Sequence, residues 1–381
     1  MLNSVFPIGS NWSWNSFFLY ILVSLCVCFF CKNGASLNAR FNSISFNYWY
    51  CLSFILLLLL ACLRSLDVGT DTSKYVDYFL RVDSFSYDFS QFFSFHEKEP
   101  GYKLLMYCIR SFTDNYTILF LIVYSIVSFA YILYIKFFYD NNSDYLFLSL
   151  FIFFFFCNMS GMRSALGQAF ILFSFIFLSQ RLFLAAFIVT LIAISFHYTM
   201  MYNLYIVLFV LLFSNYGIIK RKSFWFAGIA ILLILSNIFI SKLNLIFADT
   251  KYSYYSTENV SDLSFVGSMI FVLLGIVSVI YINQICQKDS KLKTLFIITW
   301  SFLLTYPMLV VTGAYRIPNY YAMPRLSIWS ACFQQYQLSR MKYNDTENVF
   351  VRILMFFILL AYLLMRFSKA SLDGGFIYYI R

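Results

Sequence analysis

Residues 182–213 form one long run without an Asp, Glu, Lys or Arg. As a single α-helix the run would extend ~48 Å, well past the ~30 Å of a bilayer's hydrocarbon core. It therefore predicts two crossings with a reversal between them, placed at His197-Tyr198. That split puts Arg181 and the cluster Lys220-Arg221-Lys222 on one side, which the bias of basic residues toward the cytoplasm names as the inner face.

The same pattern recurs along the chain. Apolar spans lie at about 17–31, 48–63, 117–138, 145–157, 164–180, 182–196, 198–213, 224–241, 264–284, 294–311, 320–337 and 349–366. The run at 145–157 is short, and 320–337 is interrupted by Pro324 and Arg325, which marks both as candidates for partial or re-entrant segments. With 61% hydrophobic and 12% charged residues, too little polar surface exists to cover a water-soluble domain of 381 residues. The expected fold is all-α: a polytopic membrane helical bundle of roughly 10–12 transmembrane helices. It forms one domain over 1–381, with a polar extracytoplasmic loop at 64–116 that carries short amphipathic helices. No Lys or Arg precedes Lys32, so the chain start lacks the basic region of a cleaved secretory signal and 17–31 reads as a retained first span.

Carrying the alternation through the spans places twelve basic and five acidic residues inside, and fourteen basic and twelve acidic outside. The N-terminus then faces out. A net charge of +10 would point a soluble chain toward nucleic acid, but here it divides between two membrane faces and predicts no nucleic-acid partner. Nine cysteines lie mostly within apolar runs without paired metal-ligand spacing and read as small hydrophobes. No metal or cofactor is expected. The 48 phenylalanines and 31 tyrosines are suited to helix interfaces and the interfacial belts.

One face collects the unusual polar residues. Arg64 closes the second span and is followed by Gly69-Thr70-Asp71-Thr72, a tight turn whose aspartate is flanked by hydroxyls. Arg64 is either a snorkelling anchor or a ligand-binding charge; Asp71 is either a helix cap or a reactive carboxylate. Tyr75, Tyr78, Phe79 and Val82 recur at helical spacing. Glu99-Pro100-Gly101-Tyr102 starts a second short helix with Leu104, Leu105, Tyr107, Cys108 and Ile109 as its apolar positions, and Glu99 stands where a carboxylate favours a helix N-terminus. His96 reads as a solvated loop residue. Arg163 opens a span with barely any loop before it, and the five-residue step to Gln168 turns the two about 140° apart. His197 reads as a structural histidine or as a base. Arg316 stands among tyrosines in Gly313-Ala-Tyr315-Arg316. Three outward arginines, Arg64, Arg163 and Arg316, offer planar forks that match phosphate oxygens.

In order and spacing these residues resemble the EpsG-like branch of the Wzy family, the integral-membrane polymerases of O-antigen, capsule and exopolysaccharide. The Gly69-Thr70-Asp71-Thr72 turn with Tyr75 and the Glu99-Pro100-Gly101-Tyr102 helix start carry the resemblance most specifically; Arg163, His197 and Arg316 follow in the family's order. Arg163 departs from it in being followed by Ser164 where relatives often place glutamine. The resemblance implies transfer of a growing glycan from undecaprenyl diphosphate to the non-reducing end of a fresh lipid-linked repeat unit. It places the site on the extracytoplasmic face of the bacterial inner membrane. The expected partners are that undecaprenyl-diphosphate-linked oligosaccharide, membrane lipid and a chain-length regulator protein. On this reading Asp71 or His197 is the general base, and Arg64, Thr70, Tyr75, Glu99, Tyr102, Arg163 and Arg316 bind substrate.

Other classes fit less well. An O-antigen ligase usually carries its larger outer domain late in the chain, whereas the longest outer loop here is early. A lipid-linked oligosaccharide flippase would place charges along an inner cavity, yet the mid-span positions are almost uncharged. A membrane acyltransferase needs a polar partner beside its histidine, and Asn203 lies on a different helical face from His197.

Overall fold

The structure is a computed structural model that describes residues 14–41, 46–66, 68–69, 71–82, 99–139, 148, 151–152, 155–156, 159, 161–214, 278–279, 290–311 and 322–340. Every regular element among them is helical. In chain order these are α1 (Trp14–Phe41), α2 (Tyr48–Cys62), α3 (Thr72–Leu80), α4 (Pro100–Arg110), α5 (Tyr116–Phe138), α6 (Met162–Ser179), α7 (Phe183–Phe196), a 3-10 turn (Tyr198–Met201), α8 (Tyr202–Phe213), α9 (Ser290–Val311) and α10 (Ala322–Arg340).

By length and composition, three of the described helices can cross a membrane: Phe18–Asn38 within α1, Tyr116–Phe138 and Met162–Ser179. Tyr48–Cys62, Phe183–Phe196 and Tyr198–Phe213 are shorter apolar helices. The run breaks where expected, at His197-Tyr198: α7 ends at Phe196 and the 3-10 turn begins at Tyr198. Two boundaries differ from the hydropathy reading. Where the apolar run stops at Cys31, α1 continues to Phe41 without a break; loss of apolarity ends a span, but it does not end the backbone hydrogen bonding of a helix. Pro324 and Arg325 do not interrupt α10, since the proline falls in the first turn, where its missing N–H has no intrahelical acceptor to leave empty. The expected spans at 224–241 and 349–366, most of 264–284, and part of 145–157 lie outside the described residues.

Two compact units divide the chain: Met1–Ile176 with Ile188–Met201 and Arg340–Arg381, and Phe177–Phe187 with Tyr202–Ser339. At the centre of the first unit lies α5. Its Phe120, Tyr124, Val127, Tyr131 and Tyr134 are all buried and recur every three or four residues, so one stripe faces the core. Aromatic rings fill the space around that stripe: Tyr134 stacks on Phe151 at 5.0 Å and Tyr131 meets Phe155 edge-on at 5.4 Å. Pairs of this kind add about 0.5–1.5 kcal/mol each beyond the area they bury. Asn115 caps α5 by accepting from Thr117 N at 2.9 Å, and Asn47 caps α2 by accepting from Trp49 N at 3.2 Å.

Within the same unit, the part of α6 up to Ile176 and the part of α7 from Ile188 run antiparallel, with Phe170 stacked on Phe196 at 5.3 Å and Ser174 hydrogen-bonded to Thr190 at 3.2 Å. The short helices α3 and α4 pack on each other and on α5. Thr72, Val76 and Phe79 are the buried face of α3. In α4 the buried positions are Tyr102, Met106 and Ile109, while Leu104, Tyr107 and Cys108 are exposed. Of the apolar positions read from the sequence of α4, Ile109 is buried and Leu105 half-buried; the helix is apolar on two sides, and composition does not say which side meets the protein. In the second unit, α8 pairs with α9 through Tyr202 and Phe302 at 6.4 Å and through the Tyr205 hydroxyl, which donates to the Ser301 carbonyl at 3.4 Å.

Candidate functional site

Glu99 precedes α4 at its N-cap position, yet its side chain caps nothing. The reason lies in the following residues. Pro100 stands at the first helical position, where its fixed φ suits the opening turn. Gly101 lets the backbone run so close to the end of α7 that a Cβ there would sit 2.3 Å from Ser195 Oγ and 3.0 Å from the Ser195 carbonyl carbon. The first turn of α4 is thereby pressed against the helix end that carries His197, and the Glu99 carboxylate turns inward.

Two partners meet it. Oε2 accepts from Arg163 Nη1 in a close ion pair, and Oε1 lies 2.9 Å from His197 Nδ1. Arg163 is the second residue of α6; its Nε donates to the Tyr75 hydroxyl at 3.4 Å, and its guanidinium lies 5.7 Å above the Tyr75 ring. Tyr75 meets Tyr102 edge-on at 5.6 Å, and the Tyr102 hydroxyl reaches Met162 Sδ at 4.0 Å. Behind His197 stands Gly167 of α6, where an added Cβ would lie 3.2 Å from His197 Cβ and 2.9 Å from Met200 Cγ. Four segments of one unit, α3, α4, α6 and the end of α7, thus converge on one carboxylate.

The carboxylate is 7% exposed, against 29% for Arg163 and 16% for His197. Burial pushes its pKa up, but the hydrogen bond from His197 and the Arg163 charge outweigh that and hold it at about 2. Glu99 is therefore an acceptor and His197 Nδ1 must be the donor, which leaves the imidazole Nε2 to take or give a proton. Burial raises the Tyr75 phenol, opposed in part by Arg163, so Tyr75 serves as a neutral hydrogen-bonding group.

The structure brings together Tyr75, Glu99, Tyr102, Arg163 and His197. Asp71 is placed apart from their hydrogen bonds: it stands at the N-cap position of α3 without a side-chain cap bond and pairs with Lys74 at 3.2 Å, both partly or largely exposed. Gly69 of the same turn has φ 98°, the left-handed region that glycine adopts without strain. Arg64 is buried between Phe120 and Tyr124, with Nη2 donating to the Tyr124 hydroxyl at 2.9 Å. Gln168 accepts from Tyr131 at 3.2 Å, in keeping with its angular separation from Arg163. Thr70, Arg316 and His96 lie outside the described residues.

Sequence reasoning missed two relations. The first is that Glu99, whose local position suits a helix N-terminus, joins Arg163 to His197; the one local sign of it is Gly101, whose missing Cβ allows the close approach to Ser195. The second is Tyr124, which nothing in the sequence separates from the chain's other tyrosines.

No curated protein and no solved structure matches the chain. A family model described as the EpsG family matches residues 47–380, a stretch that holds every residue of the Glu99 cluster as well as Arg64 and Asp71. The chain thus belongs to the EpsG family and is a polysaccharide-polymerase-like membrane protein.

Proposed function

We propose that the protein is a glycosyltransferase of the membrane that extends a polysaccharide, moving the growing glycan from undecaprenyl diphosphate to the non-reducing end of a lipid-linked repeat unit. The Glu99–His197 pair is the observation that carries this reading. A carboxylate on Nδ1 fixes the imidazole's tautomer and orientation, and it stabilises the imidazolium that forms when Nε2 accepts a proton.

In the reaction, His197 Nε2 takes the proton of an acceptor hydroxyl. The oxygen attacks the anomeric carbon of the donor glycan, the carbon–oxygen bond to the diphosphate breaks, and the diphosphate leaves with the electron pair. Undecaprenyl diphosphate is already a good leaving group, so the protein supplies positioning, a base and positive charge. The arginines expected to meet that charge are Arg64, Arg163 and Arg316. Asp71, the other base expected from sequence, is supported less, because its carboxylate is paired with Lys74 and sits among exposed groups. The positive-inside distribution supports an extracytoplasmic site at the bacterial inner membrane, and a chain-length regulator is the expected protein partner.

The test is the surface polysaccharide of a deletion strain on a gel that resolves repeat number. A single repeat on its acceptor, restored to a long ladder by the wild-type gene, is the expected result. Long polymer stranded on the lipid carrier would make the protein a ligase, and repeat units held on the cytoplasmic face would make it a flippase.

A further inference from the structure

A cavity of about 230 Å³ lies between the turn that closes α6, the end of α8 and the start of α9, with all of its described lining in the second unit. Arg181 and Lys293 bring positive charge to it, Ser214 and Thr294 bring hydroxyls, and Leu178 and Ile297 are apolar. Among the described residues no carboxylate lines the cavity, and neither cation is held in an ion pair. Local structure accounts for one of the two charges. Lys293 Nζ donates to the Ser214 carbonyl at 3.0 Å, which caps the C-terminal end of α8 and uses one of three ammonium protons.

Arg181 is not accounted for in that way. The turn after α6 is closed by Leu182 N donating to the Phe177 carbonyl at 2.9 Å and Arg181 N donating to the Leu178 carbonyl at 3.1 Å. This bonding pattern sets its penultimate residue in left-handed backbone, a place that glycine commonly fills. Arginine fills it here, at φ 60°, and it is the one non-glycine residue with positive φ among the described residues. A side chain with a Cβ holds that conformation at a cost, and stopping a helix needs no guanidinium. The neighbouring residues indicate the kind of anion that the charge meets. Leu182 and Leu184 follow Arg181, Leu211 and Leu212 precede Ser214, and all four are exposed, as leucines that face acyl chains are. The bias of basic residues assigns Arg181 to the inner face, where anionic lipids give the leaflet a negative surface.

We infer that this cavity is a binding site for the headgroup phosphate of an anionic membrane lipid. The Arg181 fork and the remaining Lys293 protons meet the phosphate oxygens, and the acyl chains lie along the exposed leucines. Pockets for drug-sized ligands run to ~300–1,000 Å³, so a cavity of about 230 Å³ suits a headgroup rather than a glycan repeat unit. The bound lipid ties the turn between α6 and α7 to α9.

The experiment is thermal unfolding of the purified full-length protein in uncharged detergent, titrated separately with dioctanoyl phosphatidylglycerol, dioctanoyl phosphatidylcholine and glycerol 3-phosphate. Saturating phosphatidylglycerol is expected to raise the wild-type unfolding temperature by roughly 3–5 °C, and the other two probes leave it unchanged. Arg181→Gly and Lys293→Met each lose the rise. Lys291→Gln keeps it, because that lysine is on the same helix turn as Lys293 but outside the described lining. Without lipid, Arg181→Gly unfolds close to the wild-type temperature, since glycine takes φ 60° freely. It therefore decides the matter even if Lys293→Met, which also loses the cap on α8, does not fold. The inference is overturned if no probe shifts the wild type or if the rise survives in Arg181→Gly. It is overturned as well if Lys291→Gln loses the rise as fully as Arg181→Gly, which is the mark of a diffuse attraction to a basic face. An equal response to phosphatidylcholine removes the need for an anion and also overturns it. An equal response to glycerol 3-phosphate overturns the lipid assignment and gives the cavity to a soluble phosphorylated compound.

Discussion

Asp71 and Glu99 occupy the same local position, each at the N-cap of a short helix in one polar loop, and neither caps its helix. Their fates differ. Asp71 pairs with a lysine three residues on, in a contact that local sequence makes and solvent screens. Glu99 is buried by Gly101 against α7 and joins residues 64 and 98 positions away. The difference teaches that the conspicuous motif and the buried, charge-paired carboxylate need not coincide: a hydroxyl-rich turn draws the eye to Asp71, while tertiary packing gives the charge network to Glu99.

That contrast should be sharpest at Glu99 itself. Glu99→Gln removes the charge that orients His197 and leaves the half-buried Arg163 without its ion-pair partner. We expect polymerisation to fall by about 10³–10⁴ and stability by about 3–5 kcal/mol, read from repeat-number ladders and from unfolding of the purified protein. A ladder of normal length would sever Glu99 from catalysis. Arg163→Lys keeps the charge but loses the fork shared between Glu99 and Tyr75; an activity loss of about 10²-fold with the ladder shortened is the expected result.

Acid titration separates the two carboxylates next. The Glu99 carboxyl is depressed from 4.5 to about 2, so its contribution is fully present above its ordinary value and is lost as pH falls through about 2. At neutral pH that contribution is on the order of 3 kcal/mol. The gap in unfolding temperature between the wild type and Glu99→Gln should hold near pH 6 and shrink below pH ~4. An unchanging gap would assign the effect to packing.

The fold was legible where physics is local. A run too long for one crossing had to break, and its helix does so at His197. Helical spacing identified α3, and the angular step separated Arg163 from Gln168. What stayed hidden was tertiary: which apolar side of α4 packs inward, that Glu99 faces His197, and that Tyr124 holds Arg64. Each depends on two segments meeting across 60 or more residues, and neither periodicity nor composition encodes such a meeting.

Smaller effects belong to the glycines that create the meeting. Gly167→Ala forces His197 and Met200 to give by a few tenths of an ångström, and a several-fold loss of activity with little change in expression is expected. Asp71→Asn breaks a solvent-screened pair and should change stability by about 0–1 kcal/mol.

The central claim is that His197, held by Glu99, is the base. It is tested most directly by repeat-number profiles of the deletion strain carrying His197→Ala or Asp71→Asn, with membrane levels of each variant checked alongside. A single repeat with His197→Ala and a long ladder with Asp71→Asn is the predicted outcome. A long ladder with His197→Ala and a single repeat with Asp71→Asn would contradict it and return the base to the exposed turn.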